Sequence, residues 1–288
     1  MDITSEMIKK LRDQTGAGMM DCKRALEATD GNMDAAIEYL RKKGAAVAQK
    51  RAERSAKEGA IVTRVSSDGK TGVIVEVNCE TDFVARSEDF VGFANAVAQA
   101  IETGKPASLD RVADLLAQGG KKVSEMQNDL LAKVGEKIDV KRYALYQANA
   151  GSVGSYTHLG SKIGVLVEFT GLEGADAAGG AGRDVAMQIA AMNPMVITRD
   201  QLEKTVIERE MEIYRTQAKN EGKPAQIVEK IATGRLEKFY QEVCLMEQIF
   251  IKDSGKTIKE YLNETSAKAG KPVTVKKFVR FHLGEGVQ

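Results

Sequence analysis

Apolar residues recur at helical spacing up to about residue 43, give way to β-branched runs, and return to helical spacing after residue 199. Ile8 and Leu11 share a face of a first helix, and Gly16 and Gly18 break the chain before a second helix ending near Ala28. Asp30-Gly31-Asn32 turns it again, with Asn32 placed to cap a third helix whose Ala36, Ile37 and Leu40 point inward. Gly44 is the expected end of that helix. Residues 45–58, rich in Ala, Lys, Arg and Glu, read as a helical or flexible connector.

Residues 59–77 (GAIVTRVSSDGKTGVIVEV) align without gaps with residues 151–169 (GSVGSYTHLGSKIGVLVEF), 92 positions further on. Six of nineteen positions are identical: Gly59/Gly151, Lys70/Lys162, Gly72/Gly164, Val73/Val165, Val75/Val167 and Glu76/Glu168. Each copy predicts strand, turn, strand, followed by a helix over about 88–102 in the first and about 182–192 in the second. Further strands are expected over 138–146 and 273–283. Beyond residue 199, Ile207, Met211, Tyr214 and Ala218 step by four, three and four, as along a coiled-coil seam. Asn220-Glu221-Gly222-Lys223-Pro224 then turns the chain into a second helix with Ile227, Ile231, Phe239 and Val243.

The predicted fold class is therefore α+β. It comprises an N-terminal three-helix module (1–44), the connector (45–58), and two repeated α+β subdomains with small antiparallel sheets (59–147 and 148–288). An antiparallel coiled-coil hairpin (199–243) is inserted in the second subdomain. The three-helix module is similar in size and pattern to a ubiquitin-associated-type module.

At 288 residues the chain can bury one large core or two to three modest ones. Its 42 basic and 41 acidic residues nearly cancel, so no global field calls for nucleic acid or an anionic membrane. No apolar run approaches the roughly 18 residues that a membrane span needs, and the N-terminus does not read as a signal peptide. Cys22, Cys79 and Cys244 are isolated, which fits a reducing cytosol better than a disulfide framework or a zinc site. Two Gly-Lys-Thr triplets, at 69–71 and 255–257, lack the earlier glycine of a phosphate loop, since Arg64 and Phe250 stand there. The two histidines, His158 and His282, have no partner at ligand spacing. The expectation is no metal, no cofactor and no nucleophile with its base.

The most informative segment is the corner after the strand 73–77: Asn78-Cys79-Glu80-Thr81-Asp82-Phe83-Val84-Ala85-Arg86. A helix follows, with Asp82 or Ser87 as candidate caps. A carboxylate beside an aromatic ring at such a corner suits a wedge pushed into another protein. A catalytic pocket would need a base, a nucleophile or metal ligands close by. Phe83 read alone is most simply a core residue, but a buried ring beside Asp82 would force that carboxylate to find partners. Met19 and Met20, at a helix start, are either core filler or an adaptable contact surface. His158 stands in a hairpin turn where the first copy has Ser66, and by itself reads as a solvated turn residue.

The segment 76–86, together with Thr15-Gly16-Ala17-Gly18-Met19-Met20-Asp21-Cys22-Lys23-Arg24-Ala25-Leu26, resembles the two signature segments of bacterial translation elongation factor Ts. The resemblance continues through Ser155-Tyr156-Thr157-His158, Gly222-Lys223-Pro224 and Phe278-Val279-Arg280-Phe281, and so covers nearly the whole chain. It implies a cytoplasmic, non-enzymatic guanine-nucleotide exchange factor that binds elongation factor Tu, displaces Mg²⁺ and promotes GDP release. By resemblance, Thr81, Asp82, Phe83 and Val84 enter the GTPase domain near its metal ion. Arg12, Met19 and Met20 grip that domain, and His158 holds a second one. The hairpin mediates either homodimerisation or partner contact, and neither nucleic acid nor membrane is an expected partner. A non-exchange scaffold, binding a peptide through the three-helix module and dimerising through the hairpin, is the competing reading.

Overall fold

The computed structural model describes residues 3–51 and 54–285. Three helices open the chain: α1 (Ser5–Thr15), α2 (Met19–Ala28) and α3 (Met33–Arg51). Thr4 caps α1 by accepting a hydrogen bond from Met7 N–H, and Asn32 caps α3 by accepting from Ala35 N–H at 3.0 Å. Leu11, Ala17, Cys22, Ala25, Leu26, Ala36 and Leu40 form a closed core, with Ile8 and Ile37 packed at its edge. The third helix does not end at Gly44 but runs on to Arg51. A lone glycine in a helix costs only about 1 kcal/mol, and the alanines around it (Ala45, Ala46, Ala48) favour continuation. Residues 52 and 53 of the expected connector lie outside the described residues.

The first copy of the repeat forms β1 (Glu58–Val65) and β2 (Thr71–Cys79). After the helical turn α4 (Asp82–Ala85) come the long helix α5 (Glu88–Gly104), α6 (Val123–Val134) and β3 (Asp139–Gln147). The strands make an antiparallel sheet in the order β1-β2-β3. The second copy forms β4 (Ser152–Thr157) and β5 (Ile163–Thr170), followed by the turn α7 (Ala175–Ala178) and helix α8 (Ala181–Met192). After α8 the chain builds helices α9 (Lys204–Asn220) and α10 (Ala225–Val243), a small ribbon of β6 (Ile249–Phe250) and β7 (Asp253–Thr257), and α11 (Ile258–Ala269). The last strand, β8 (Thr274–His282), completes the second antiparallel sheet, β4-β5-β8.

The alternation along each central strand divides the interior. Val73, Val75 and Val77 of β2 face α5 in one core, and Val165, Val167 and Phe169 of β5 face α8 in another. Their opposite faces meet: Ile61, Ile74 and Tyr146 of the first sheet pack on Val153, Leu166 and Phe281 of the second. The contacts between the copies are reciprocal. Ile61 N–H donates to Ser161 C=O at 2.7 Å, and Val153 N–H, at the position equivalent to Ile61, donates to Gly69 C=O at 2.8 Å. Gly72 leaves room for Val153, and its counterpart Gly164 leaves room for Ile61. The repeated carboxylates are both buried and paired. Glu76 accepts from Arg142 Nε at 2.7 Å, and Glu168 from Lys276 Nζ at 2.7 Å. The identities of the repeat thus divide between the helix-facing cores (Val73/Val165 and Val75/Val167) and the contact between the sheets (Gly72/Gly164).

Helices α9 and α10 pack on each other along Ala218, Val228, Ala232 and Leu236, with Ile207, Met211, Tyr214 and Ile231 half-buried. Ile227 is 41% exposed, so the buried seam of α10 runs one residue away from that expected position, through Val228. The small residues Ala218 and Ala232 let the helices approach closely. Arg215 forks onto Glu229 (2.7 and 2.8 Å), and Arg235 Nη2 donates to both Glu221 carboxylate oxygens (2.7 and 2.9 Å), across the pair.

Candidate functional site

β2 ends at Cys79, whose thiol is buried and pushed up to about 12, mainly by desolvation and then by the charge of Glu136. It is a structural side chain and no nucleophile at neutral pH. Thr81 has extended backbone (φ −126°, ψ 154°) and caps α4, its hydroxyl oxygen accepting from Val84 N–H at 3.4 Å. Ser87 caps α5, accepting from Phe90 N–H at 3.3 Å. Of the two caps expected here Ser87 serves, whereas Asp82 is already the first residue inside α4.

One turn of helix sorts the next side chains. Val84 and Ala85 pack against the core of the first sheet, while Phe83 points away and is 85% exposed. The core reading of Phe83 is therefore wrong: the slot beneath the turn is already filled by Val84. Asp82 accepts from Arg86 Nη2 at 3.0 Å, four residues along, a pair exposed enough to be worth only a fraction of a kcal/mol. Thr81 is also held from outside its own segment. Glu136 accepts from Thr81 N–H at 3.0 Å and from its hydroxyl at 2.7 Å.

The β4–β5 turn reaches the same neighbourhood. Asp82, Ala85, Arg86 and Val91 line one side of a groove, and Gly160, Ser161 and Lys162 the other. His158 is exposed at the end of β4, with its Nδ1 hydrogen-bonded to Tyr156 Oη at 2.9 Å. Next to it Leu159 is 91% exposed. Sequence reasoning missed Leu159, although an apolar residue in a turn otherwise made of His, Gly, Ser and Lys was the available signal. Arg12, Met19 and Met20 lie apart from this groove, on the N-terminal helices. Met19 is 45% and Met20 60% exposed, so neither fills the core of that unit, which Cys22, Ala25 and Leu26 occupy.

What this arrangement offers is contact. A ring and a leucine stand in solvent on well-anchored turns, beside exposed charge, and a methionine pair adds an adaptable apolar patch. Among the described residues no three His, Cys, Asp or Glu side chains gather to hold a metal ion. No described helix is long and apolar enough to cross a membrane.

The sequence matches a known class of translation factor. Residues 80–285 match the family model described as Elongation factor TS. The chain is 51% identical to elongation factor Ts of Prosthecochloris aestuarii over 286 residues, covering 98% of this chain and 99% of that one. It is 46% identical to elongation factor Ts of Clostridium perfringens (99% and 94% covered) and 46% identical to that of Chloroherpeton thalassium (99% of each). The chain belongs to the elongation factor Ts family.

Proposed function

We propose that this protein is a guanine-nucleotide exchange factor of translation elongation. It binds elongation factor Tu with GDP, displaces the Mg²⁺ ion and promotes GDP release so that GTP can bind. The observation that carries this reading is Phe83, a large ring held 85% exposed on a capped turn beside a weakly paired carboxylate. Family membership supplies the partner. In this reading Thr81 to Val84 form the trigger: Phe83 wedges into the GTPase domain, Asp82 engages backbone donors there, and Val84 anchors the turn from below. Arg12, Met19 and Met20 grip the same domain from a ubiquitin-associated-type module. His158 and Leu159 hold a second domain, and α9–α10 is an antiparallel coiled-coil hairpin open to homodimerisation or partner contact. The factor makes and breaks no covalent bond, so it is not an enzyme, and it works in the cytoplasm.

Energetics require several contact sites. Factor and nucleotide weaken each other's binding by one coupling free energy. A thousandfold faster release needs about 4 kcal/mol off the barrier, whereas burying one Phe side chain supplies about 1.5–3 kcal/mol before ordering costs. The ring alone is not enough, and the flanking contacts must anchor the complex while the trigger acts.

The test is release of fluorescent GDP from elongation factor Tu in excess Mg²⁺, with and without this protein. Strong acceleration is expected, and its absence with a folded factor and cognate partner would leave the scaffold reading in front. Two further results are expected. Met20→Ala weakens the complex about tenfold by titration calorimetry and leaves the maximal release rate nearly intact. An equal loss in both quantities would place Met20 in the trigger. Leu159→Ser weakens the complex by about five- to tenfold without changing the melting temperature, since Leu159 touches almost nothing in the free protein. Unchanged affinity would remove the β4–β5 turn from the interface.

A further inference from the structure

A four-residue turn such as α4 cannot hold itself, because a single helical turn fixes several dihedrals for one hydrogen bond. Its geometry has to be imposed from outside the turn. Glu136 places both carboxylate oxygens on Thr81, Oε2 accepting from the backbone N–H at 3.0 Å and Oε1 from the hydroxyl at 2.7 Å. The grip is returned one residue over, where Lys137 N–H donates to Glu80 Oε1 at 2.7 Å. Two chain corners, 55 residues apart in sequence, thus clamp each other through side chain-to-backbone bonds. Hydrogen bonds to an ionised acceptor are about twice as strong as neutral ones, and a two-point attachment also fixes direction.

The position of Glu136 gives the clamp a second meaning. It follows directly on Gly135, the residue that ends α6 with its N–H donating to Leu131 C=O at 2.8 Å. That helix is anchored in the first core by Val123 and Leu130, and its Asn128, Asp129 and Ala132 line a cavity against Thr15, Ala17, Ile37 and Leu40 of the N-terminal helices. One helix therefore touches the unit that carries Met19 and Met20 and ends on the residue that sets Thr81.

We propose that Glu136 is a positioning residue of the exchange trigger: its carboxylate fixes Thr81 so that Phe83 is presented in the inserting geometry before the partner arrives. This rests on the exchange reading above. Preorganisation lowers the cost of reaching the transition state and leaves ground-state anchoring elsewhere untouched. Loss of Glu136 thus acts on the maximal rate rather than on the concentration that gives half of it.

The experiment compares wild type, Glu136→Ala and Glu136→Gln in GDP release from elongation factor Tu across factor concentrations. Amide hydrogen exchange of residues 82–86 in the free protein is measured alongside. Glu136→Ala is expected to lower the maximal rate about tenfold and to shift the half-saturating concentration less than about twofold. The amides of 82–86 exchange faster in this variant. Glu136→Gln keeps most of the rate, because its amide oxygen accepts from Thr81 N–H while its amide nitrogen donates to the Thr81 hydroxyl. If Glu136→Ala fails to fold, Glu136→Asp, which draws the carboxylate back from Thr81 by one methylene and leaves the Thr81 cap of α4 in place, is expected to give a smaller loss of the same kind. A Glu136→Ala variant with wild-type maximal rate, or one that loses only thermal stability, overturns the assignment. Wild type that does not accelerate release overturns the exchange reading itself, a result distinguishable from the former.

Discussion

Phe83→Ala is expected to lower the maximal rate of GDP release from elongation factor Tu by about ten- to a hundredfold while leaving the fold intact. The range is the burial free energy of one phenylalanine side chain, about 1.5–3 kcal/mol, realised when the ring enters the partner. The free protein has little to lose. The ring is 85% exposed, and the space beneath the turn is occupied by Val84 and Ala85, so truncation opens no cavity. Stability should stay within about 0.5 kcal/mol of wild type, as for surface substitutions away from special features. Affinity should fall less than rate, because in the proposed mechanism Met19, Met20 and the β4–β5 turn bind in ground and transition states alike, whereas the wedge gains most as Mg²⁺ and GDP leave. Adding Asp82→Ala should deepen the loss, since its pairing with Arg86 is exposed and easily exchanged for donors on the partner. A variant with full rate would falsify the wedge, and a melting temperature several degrees lower would mean that Phe83 belongs to the fold after all.

Much of the frame is legible in the chain because it is written in local signals. The β-branched run 73–77 and its copy at 165–169 announce two central strands, and the strands at 139–147 and 274–282 fall within one residue of expectation. The elements that escaped lack such signals. Helix α6 opens at Lys122, which has no side-chain acceptor, and its first amides are organised instead by Glu125 accepting from Lys122 N–H at 3.0 Å. The continuation of α3 past Gly44 follows the helix propensity of the alanines around it, and the shift of the α10 seam from Ile227 to Val228 is a case where packing outweighed a local rule. At the site, the sequence pointed to the corner but left the direction of Phe83 open. That direction depends on which neighbour fills the core slot, and two adjacent apolar residues, Phe83 and Val84, were both candidates. Glu136 was out of reach for a different reason: its bond to Thr81 joins residues 55 apart, and nothing in either segment names the other.

The second large effect is on stability. Gly59→Ala and Gly151→Ala are each expected to cost about 3 kcal/mol or more, with a matching fall in urea midpoint. Both residues have positive φ (149° and 109°), where an L side chain is strained by about 1–3 kcal/mol. In addition, a Cβ on Gly59 would sit 2.1 Å from the Val77 carbonyl oxygen, and one on Gly151 would sit 2.1 Å from that of Phe169. Those oxygens belong to the partner strands β2 and β5, so no side-chain rotation relieves the clash. The strand pair must open instead, and its first hydrogen bonds are lost with it. The same substitution at Gly92, an exposed position within α5 with nothing within 4 Å of its added Cβ, should be stabilising by about 0.5–1 kcal/mol. The contrast in sign separates backbone clash from any general cost of replacing glycine. Because Phe169 stands to Gly151 as Val77 stands to Gly59, the two losses should be similar in size. A large difference between them would mean that the two copies, despite reciprocal contacts, are not equivalent frames. The tight approach at the start of β1 would then serve something particular to the trigger-bearing sheet.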